Sequence, residues 1–135
     1  MFAFSLKIVS PDGVKFSGQV QQLTVRTTTG DMGILAGHID CVAALGMGRA
    51  TIVADGQTRY AACIGGMLSV ANGEVTVTPT TFEWSEDIDV ARVEKSEARA
   101  QRILENKDSS DMDIRLAEAR LRRALVRKSV AGRRY

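Results

Sequence analysis

A single histidine, two cysteines and seven aromatic residues in 135 leave little of what most catalytic or metal sites are built from. His38 has no serine or cysteine motif around it, no pair of carboxylates stands out, and no glycine loop has phosphate-binding spacing. Gly-Met-Gly at 46–48 is too short to count. These absences argue against an enzyme and against a resident metal or cofactor. Cys41 and Cys63 sit in apolar surroundings without ligand spacing, so both are expected to be buried free thiols rather than a disulfide or zinc pair. The opening Met-Phe-Ala-Phe-Ser-Leu-Lys lacks the basic and apolar regions of a secretion signal, and no apolar run has the length needed to span a bilayer. A soluble, intracellular protein without direct membrane insertion is the expectation.

What is present is a strong polarity of charge. The net value of +2 conceals it. Residues 1–82 hold five basic and five acidic groups, residues 83–113 five basic and ten acidic, and residues 114–135 eight basic and one acidic. Blocks of this kind form solvated surface or meet a charged partner, and the eight-to-one excess over so short a segment favours the partner.

The first part of the chain has the period of strands. Phe4, Leu6 and Ile8 alternate with polar neighbours, and Pro11-Asp12-Gly13 turns the chain into a hairpin through Val14 to Phe16. Val20 to Arg26 continues as a strand, whereas Thr27 to His38 loses its period, gains glycines and reads as a shaped loop. Asp55-Gly56 and Asn72-Gly73 then punctuate short strands over 50–54, 58–64, 68–70 and 75–78, supplying the positive φ of tight hairpins. Gly65-Gly66 marks a bulge or corner. Pro79 is expected to close the last strand. Seven or more short strands predict an antiparallel β-sandwich over residues 1–84.

Beyond it the period changes from two to about 3.6. Ser85-Glu86-Asp87 reads as an N-cap with acidic residues in the first turn. One helix is expected from Ile88 to Glu105, and a second from Asp111 to about Ser129 with Ser110 or Asp111 as cap, making residues 85–135 a helical hairpin. Gly132 lies beyond the second helix, and the last residues to Tyr135 are expected to fray. A thin apolar line of Ile114, Ala117, Leu121, Ala124 and Leu125 suits packing on a neighbour but is too slight to form a domain.

Arginine recurs along both helices, with Arg92 and Arg99 on one face of the first and Arg120, Arg123 and Arg127 in a stripe on the second. A guanidinium presents a planar fork of donors matched to oxyanions, so the pattern fits a nucleotide, a phosphate or a nucleic-acid backbone. Alternation of arginine and glutamate on solvated helix faces fits it too, with pairs worth only a few tenths of a kcal/mol. Nucleic acid is disfavoured because no aromatic side chain interleaves the basic run.

The motifs Val9-Ser10-Pro11, Phe16-Ser17-Gly18, Gly30-Asp31-Met32-Gly33-Ile34-Leu35-Ala36-Gly37-His38 and Ile88-Asp89-Val90-Ala91-Arg92, in that order before a terminal helical hairpin, resemble the epsilon subunit of bacterial F-type ATP synthases. The resemblance covers essentially the full length. It implies a flattened β-sandwich joined to the gamma subunit and the ring of c subunits, within the rotor that couples ion flow to ATP synthesis at the cytoplasmic face of the membrane. Gly30, Asp31, Gly33 and His38 would then lie at subunit interfaces, although a hydrogen bond within its own loop explains His38 equally well. Two family prolines are replaced by Ala36 and Asp40, which leaves the loop freer in φ.

The hairpin is similar to the family's conformational brake, which packs on the sandwich or extends into the alpha and beta catalytic head to block ATP hydrolysis. Some members bind ATP on the folded hairpin as a regulatory ligand. On that pattern the nucleotide-binding residues are Glu83, Ile88, Asp89, Arg92, Arg99, Arg123 and Arg127, and Val93 stands where the motif has alanine. The alternative from another class is a non-enzymatic nucleic-acid or phosphate-binding module that uses the basic second helix.

Overall fold

The computed structural model describes residues Phe2 to Gly132. Eight strands come first: β1 (Phe4–Ser10), β2 (Gly13–Val20), β3 (Gln22–Thr27), β4 (Gly30–Ile34), β5 (Cys41–Ala44), β6 (Met47–Ala54), β7 (Gln57–Ala71) and β8 (Glu74–Trp84). A short 3-10 turn at Ser85–Asp87 leads to helices α1 (Val90–Glu105) and α2 (Asp111–Ala131).

The strands form one sheet in the order β2-β1-β8-β7-β6-β3-β4, with β5 added on β7. This ribbon folds over on itself, because Leu6 and Ile8 of β1 share one core with Leu23 and Val25 of β3 and with Ile52 of β6. A hydrogen bond from Gln21 N to Val53 O (2.7 Å) ties the β2–β3 connection to β6. The alternation in β1 is the cause: Phe4, Leu6, Ile8 and Ser10 are buried and the residues between them are not.

Several expectations are corrected. The sandwich is not wholly antiparallel, since β1 runs parallel to β8 from Ser5 opposite Glu74 to Ile8 opposite Val77. The supposed loop from Thr27 contains β4, which pairs with β3 around a Thr28-Thr29 turn. Its glycines hid the strand because they carry no side chain to mark a period. Pro79 does not end β8; it faces Gly66, and the strand continues to Trp84. Pairing with β1 stops at Val77, so Pro79 occurs where β8 is paired on one edge only.

Gly65-Gly66 is a corner and not a bulge, because the β7–β8 register runs unbroken from Ile64 opposite Thr81 to Gly66 opposite Pro79. At this corner β7 exchanges partners: it pairs with β6 up to Ile64 and with β5 from Met67. Both glycines have positive φ, 68° and 99°, and a Cβ on Gly66 would meet Pro79 Cα at 2.6 Å. Along β8 the inward positions accordingly change phase, from Val75 and Val77 to Phe82 and Trp84. The Asp55-Gly56 and Asn72-Gly73 dipeptides form the two-residue turns expected of them, with φ of 51°/74° and 51°/79°.

Ser85 caps no α-helix. It is buried within the 3-10 turn and donates from Oγ to Glu86 Oε2 at 3.1 Å. Asp89 is the N-cap of α1, its Oδ1 accepting from Arg92 N at 3.1 Å. Helix α2 opens on a capping box, with Ser110 Oγ accepting from Asp113 N and the Asp113 carboxylate accepting from Ser110 N. It runs two residues past Ser129 to Ala131, with Gly132 as C-cap. The fraying expected of the last residues falls on 133–135, which lie outside the described residues.

The two helices pack through small side chains, Ala100, Ala117 and Ala124 being fully or almost fully buried. Ile114 and Leu121 are half-buried, whereas Leu125 is exposed. The hairpin then folds back onto β6 and β7. Its seam comprises Ala62 of β7, Ile88, Val93 of α1, and Ala124, Val130 and Ala131 of α2, flanked by Tyr60 and Val126. The run Ala61-Ala62-Cys63-Ile64 is therefore buried on both faces, Ala61 and Cys63 in the sandwich and Ala62 under the helices. Burial pushes the Cys63 thiol up to about 12. Cys41, expected to be buried as well, is only half-covered.

Candidate functional site

The β8–α1 junction and the returning α2 enclose a cleft of about 370 Å³ lined by Glu83, Asp87, Asp89, Arg92, Val93, Ser96 and Arg127. That volume lies within the range of small-molecule sites. Each wall follows from a local feature already described. Inward positions 82 and 84 turn Glu83 outward, beside its cross-strand neighbour Ala62 in the seam. Asp89 is placed by its capping role, Arg92 and Val93 occupy the first turn of α1, and Ser96 follows one turn later on the same face. Arg127 arrives from α2, and its Nε donates to Glu83 Oε1 at 2.6 Å.

Of the residues singled out from the sequence, Glu83, Asp89, Arg92 and Arg127 come together in this cleft. Ile88 lies beneath it, 8% exposed, packed in the seam. Arg99 and Arg123 do not line the cleft. Arg99 is two turns further along α1, about 10 Å from Arg92 along the axis, and Arg123 is one turn before Arg127 on α2. In an antiparallel pair these displacements lead the same way, away from the sandwich. Asp87 and Ser96 were not singled out beforehand. Ser96 was accessible to periodicity, being four residues after Arg92, but Asp87 becomes a wall only through the 3-10 turn.

Below the cleft, Arg59 of β7 fixes the junction to the sandwich. Its guanidinium carbon lies 3.6 Å from the centre of the Trp84 ring, and its Nη2 donates to Glu86 Oε1 at 2.9 Å. Partial burial acts to raise the Glu86 pKa, but a backbone hydrogen bond, the bonds from Arg59 and Ser85 and the Arg59 charge outweigh it, holding the carboxyl below its ordinary value. A further bridge, Lys128 Nζ to Glu97 Oε2 at 3.2 Å, joins the helices.

A second surface lies at the opposite character. Phe2, Leu35, Ile39 and Val42 are between 60% and 87% exposed, and Phe2, Leu35 and Ala36 share an apolar cleft of about 460 Å³ with Gln21, Gln22 and Val53. Exposed apolar side chains around a cleft, as at Phe2 and Leu35, are a common feature of interaction surfaces. Gly30, Asp31 and Gly33 lie on the edge strand β4, and Asp31, paired to Arg26 at 3.4 Å, lines a separate cleft with Arg49, Thr51 and Ser129. His38 Nδ1 hydrogen-bonds the neighbouring carbonyl of Ile39 at 2.8 Å, the local arrangement named as one of its two readings. The expected freedom of the loop is checked by Asp40, whose Oδ1 accepts from Asn72 N at 3.0 Å and pins it to the β7–β8 turn.

Residues 3–85 match the family model of the ATP synthase delta/epsilon chain β-sandwich domain, and residues 86–132 that of its long α-helix domain. The chain is 42% identical over 132 residues to the ATP synthase epsilon chain of Bacillus velezensis, covering 98% of this chain and 99% of the other. It is 40% identical over 135 residues to the ATP synthase epsilon chain of Ruminococcus albus, covering 99% and 100%. Among solved structures, a chain of the Euglena gracilis mitochondrial ATP synthase OSCP/F1/c-ring assembly superposes with a TM-score of 0.83 at 23% identity, over 94% of this chain and 80% of the other. A chain of the Tetrahymena thermophila mitochondrial ATP synthase central stalk and c-ring superposes with a TM-score of 0.60 at 12% identity, over 94% and 95%. These last two speak for the fold.

Proposed function

The chain belongs to the ATP synthase delta/epsilon family, and from that premise we propose that it is a non-catalytic central-stalk subunit of a bacterial F-type ATP synthase whose hairpin restrains ATP hydrolysis under nucleotide control. The observation that carries the reading is the docked hairpin itself. Two helices are held on the sandwich by a small seam and the Arg127–Glu83 ion pair, and a cleft lined by two arginines lies across the joint.

The exposed Phe2 and Leu35 on the apolar cleft support docking on the gamma subunit, because burial of each side chain would contribute about 1.5–3 kcal/mol. Gly30, Asp31 and Gly33 on the β4 edge supply the polar contact to the c-ring. No described helix is long and apolar enough to cross a membrane, in keeping with a peripheral position on the complex.

The seam supports the switching role. Three of its six buried residues are alanine, so little apolar area is exposed on undocking, and a partner such as the gamma coiled coil or the catalytic head can replace it. The basic end of α2 suits acidic surface on that head. ATP acts in the other direction: phosphates among Arg92 and Arg127, reaching toward Arg99 and Arg123, bridge α1 and α2 and stabilise the docked state.

The test is reconstitution with an alpha-beta-gamma catalytic head. The full chain and a version ending at Asp87 are both expected to be retained by gamma. Only the full chain is expected to depress ATP hydrolysis, and a label pair on the sandwich and near Arg127 is expected to shorten on adding ATP. Failure to bind gamma, together with salt-sensitive DNA or RNA binding, would overturn the reading in favour of a phosphate-backbone module.

A further inference from the structure

Glu83 and Arg127 are 44 residues apart, yet they form the shortest of the described ion pairs. The atoms used matter more than the distance. A guanidinium carries five N–H groups, one on Nε and four on the two Nη nitrogens, and the bond to Glu83 engages Nε. The Nη fork is left over. Among the described residues no other carboxylate lies within salt-bridge distance of Arg127, and its side chain is one wall of the cleft.

We infer that Glu83 is a positioning residue, whose carboxylate clamps Arg127 through Nε so that the Nη pair is presented to a phosphate in the cleft. The inference rests on the nucleotide reading given above and adds a role to it. A carboxylate close to a phosphate site would otherwise be unfavourable through like-charge repulsion. Its benefit lies in orientation, since an arginine free to rotate about its side-chain bonds loses entropy when it binds and one already clamped does not. The pair spans β8 and α2, so the same bond that aims the fork also holds the second helix on the sandwich. Anion affinity and hairpin docking are therefore tied to one contact. Ser96, across the cleft on α1, offers a hydroxyl to the same ligand.

The experiment compares the full-length wild type with Glu83→Gln, Glu83→Ala and Arg127→Lys. Each is titrated with ATP and with inorganic triphosphate by calorimetry, and the Arg127 Nε–H resonance is followed by NMR without ligand. Glutamine keeps an oxygen that accepts from Nε while removing the charge. E83Q is thus expected to bind within about two-fold of wild type or more tightly, and E83A about ten-fold more weakly, the size of one charge-assisted bond. R127K, which keeps the charge but has no fork, is expected to match E83A. The Nε–H resonance is expected to exchange slowly in wild type and E83Q and rapidly in E83A. Equal loss in E83Q and E83A would mean that the carboxylate itself recognises the ligand and would overturn the positioning role. Tighter binding by E83A would do so as well, by making Glu83 a competitor. Absence of any binding to wild type, with its Nε–H resonance still protected, would instead overturn the nucleotide reading and the positioning role with it.

Discussion

Val93 is both a seam residue and a wall of the cleft, so replacing it with alanine should move two observables in opposite directions. It is 7% exposed and packs with Ala62, Ile88 and Ala124. Removing two buried carbons costs about 1.6 kcal/mol of transfer free energy. Alanine recovers about 0.6 kcal/mol through its higher helix propensity. The net loss of about 1 kcal/mol lowers the ratio of docked to undocked hairpin about five-fold. Hydrogen exchange reads this directly, as about five-fold less protection of amides around Ala117 and Ala124 in the unliganded chain. Nucleotide affinity should rise, because the two methyl groups no longer narrow the cleft, and relief of such crowding is worth about 1–3 kcal/mol, or about ten-fold. An undocked fraction that stays small takes little from this gain. Calorimetry with ATP supplies the second observable. Reduced protection with unchanged or weaker ATP binding would refute the reasoning, leaving Val93 as packing alone.

The Gly65-Gly66 corner should be intolerant of a side chain: Gly66→Ala places a Cβ against Thr78 O and Pro79 Cα at a φ of 99°, and several kcal/mol should be lost in urea unfolding. Gly13→Ala, at φ 127° with nothing within 4 Å, should lose only about 1–3 kcal/mol. Acid should weaken the junction through Glu86. Its folded pKa lies below the ordinary 4.5, so its stabilising contribution is present above that value and disappears as pH falls through the folded one. Glu86→Gln should therefore be less stable than wild type at neutral pH, and the gap in urea midpoint should close in the acid range.

Much of this was legible in the chain because it is local. The alternation at Phe4, Leu6 and Ile8, the two dipeptide turns and the change of period after Trp84 each depend on a few neighbouring residues, and each appears in the fold. The misreadings occurred where local signals were overridden. Pro79 looked like an ending because its unusual partner, Gly66, is distant in sequence. Ser85 looked like a cap because the 3-10 turn that buries it is shaped by contact with Arg59 and Trp84.

The arginine pattern shows the same division. Helical periodicity was sufficient to place Arg92 and Arg99 on one face of α1 and Arg123 and Arg127 on one face of α2. It carried no information on how far apart the two faces lie. The alanine seam decided that, by setting how closely the helices approach and where the hairpin meets β7, so that Arg92 and Arg127 share a cleft while Arg99 and Arg123 extend beyond it. Sequence by itself determined which elements form and which faces carry charge, since both follow from backbone periods of two and 3.6 residues. Only the tertiary structure brought Glu83 to Arg127, because a contact across 44 residues depends on the packing of everything between them.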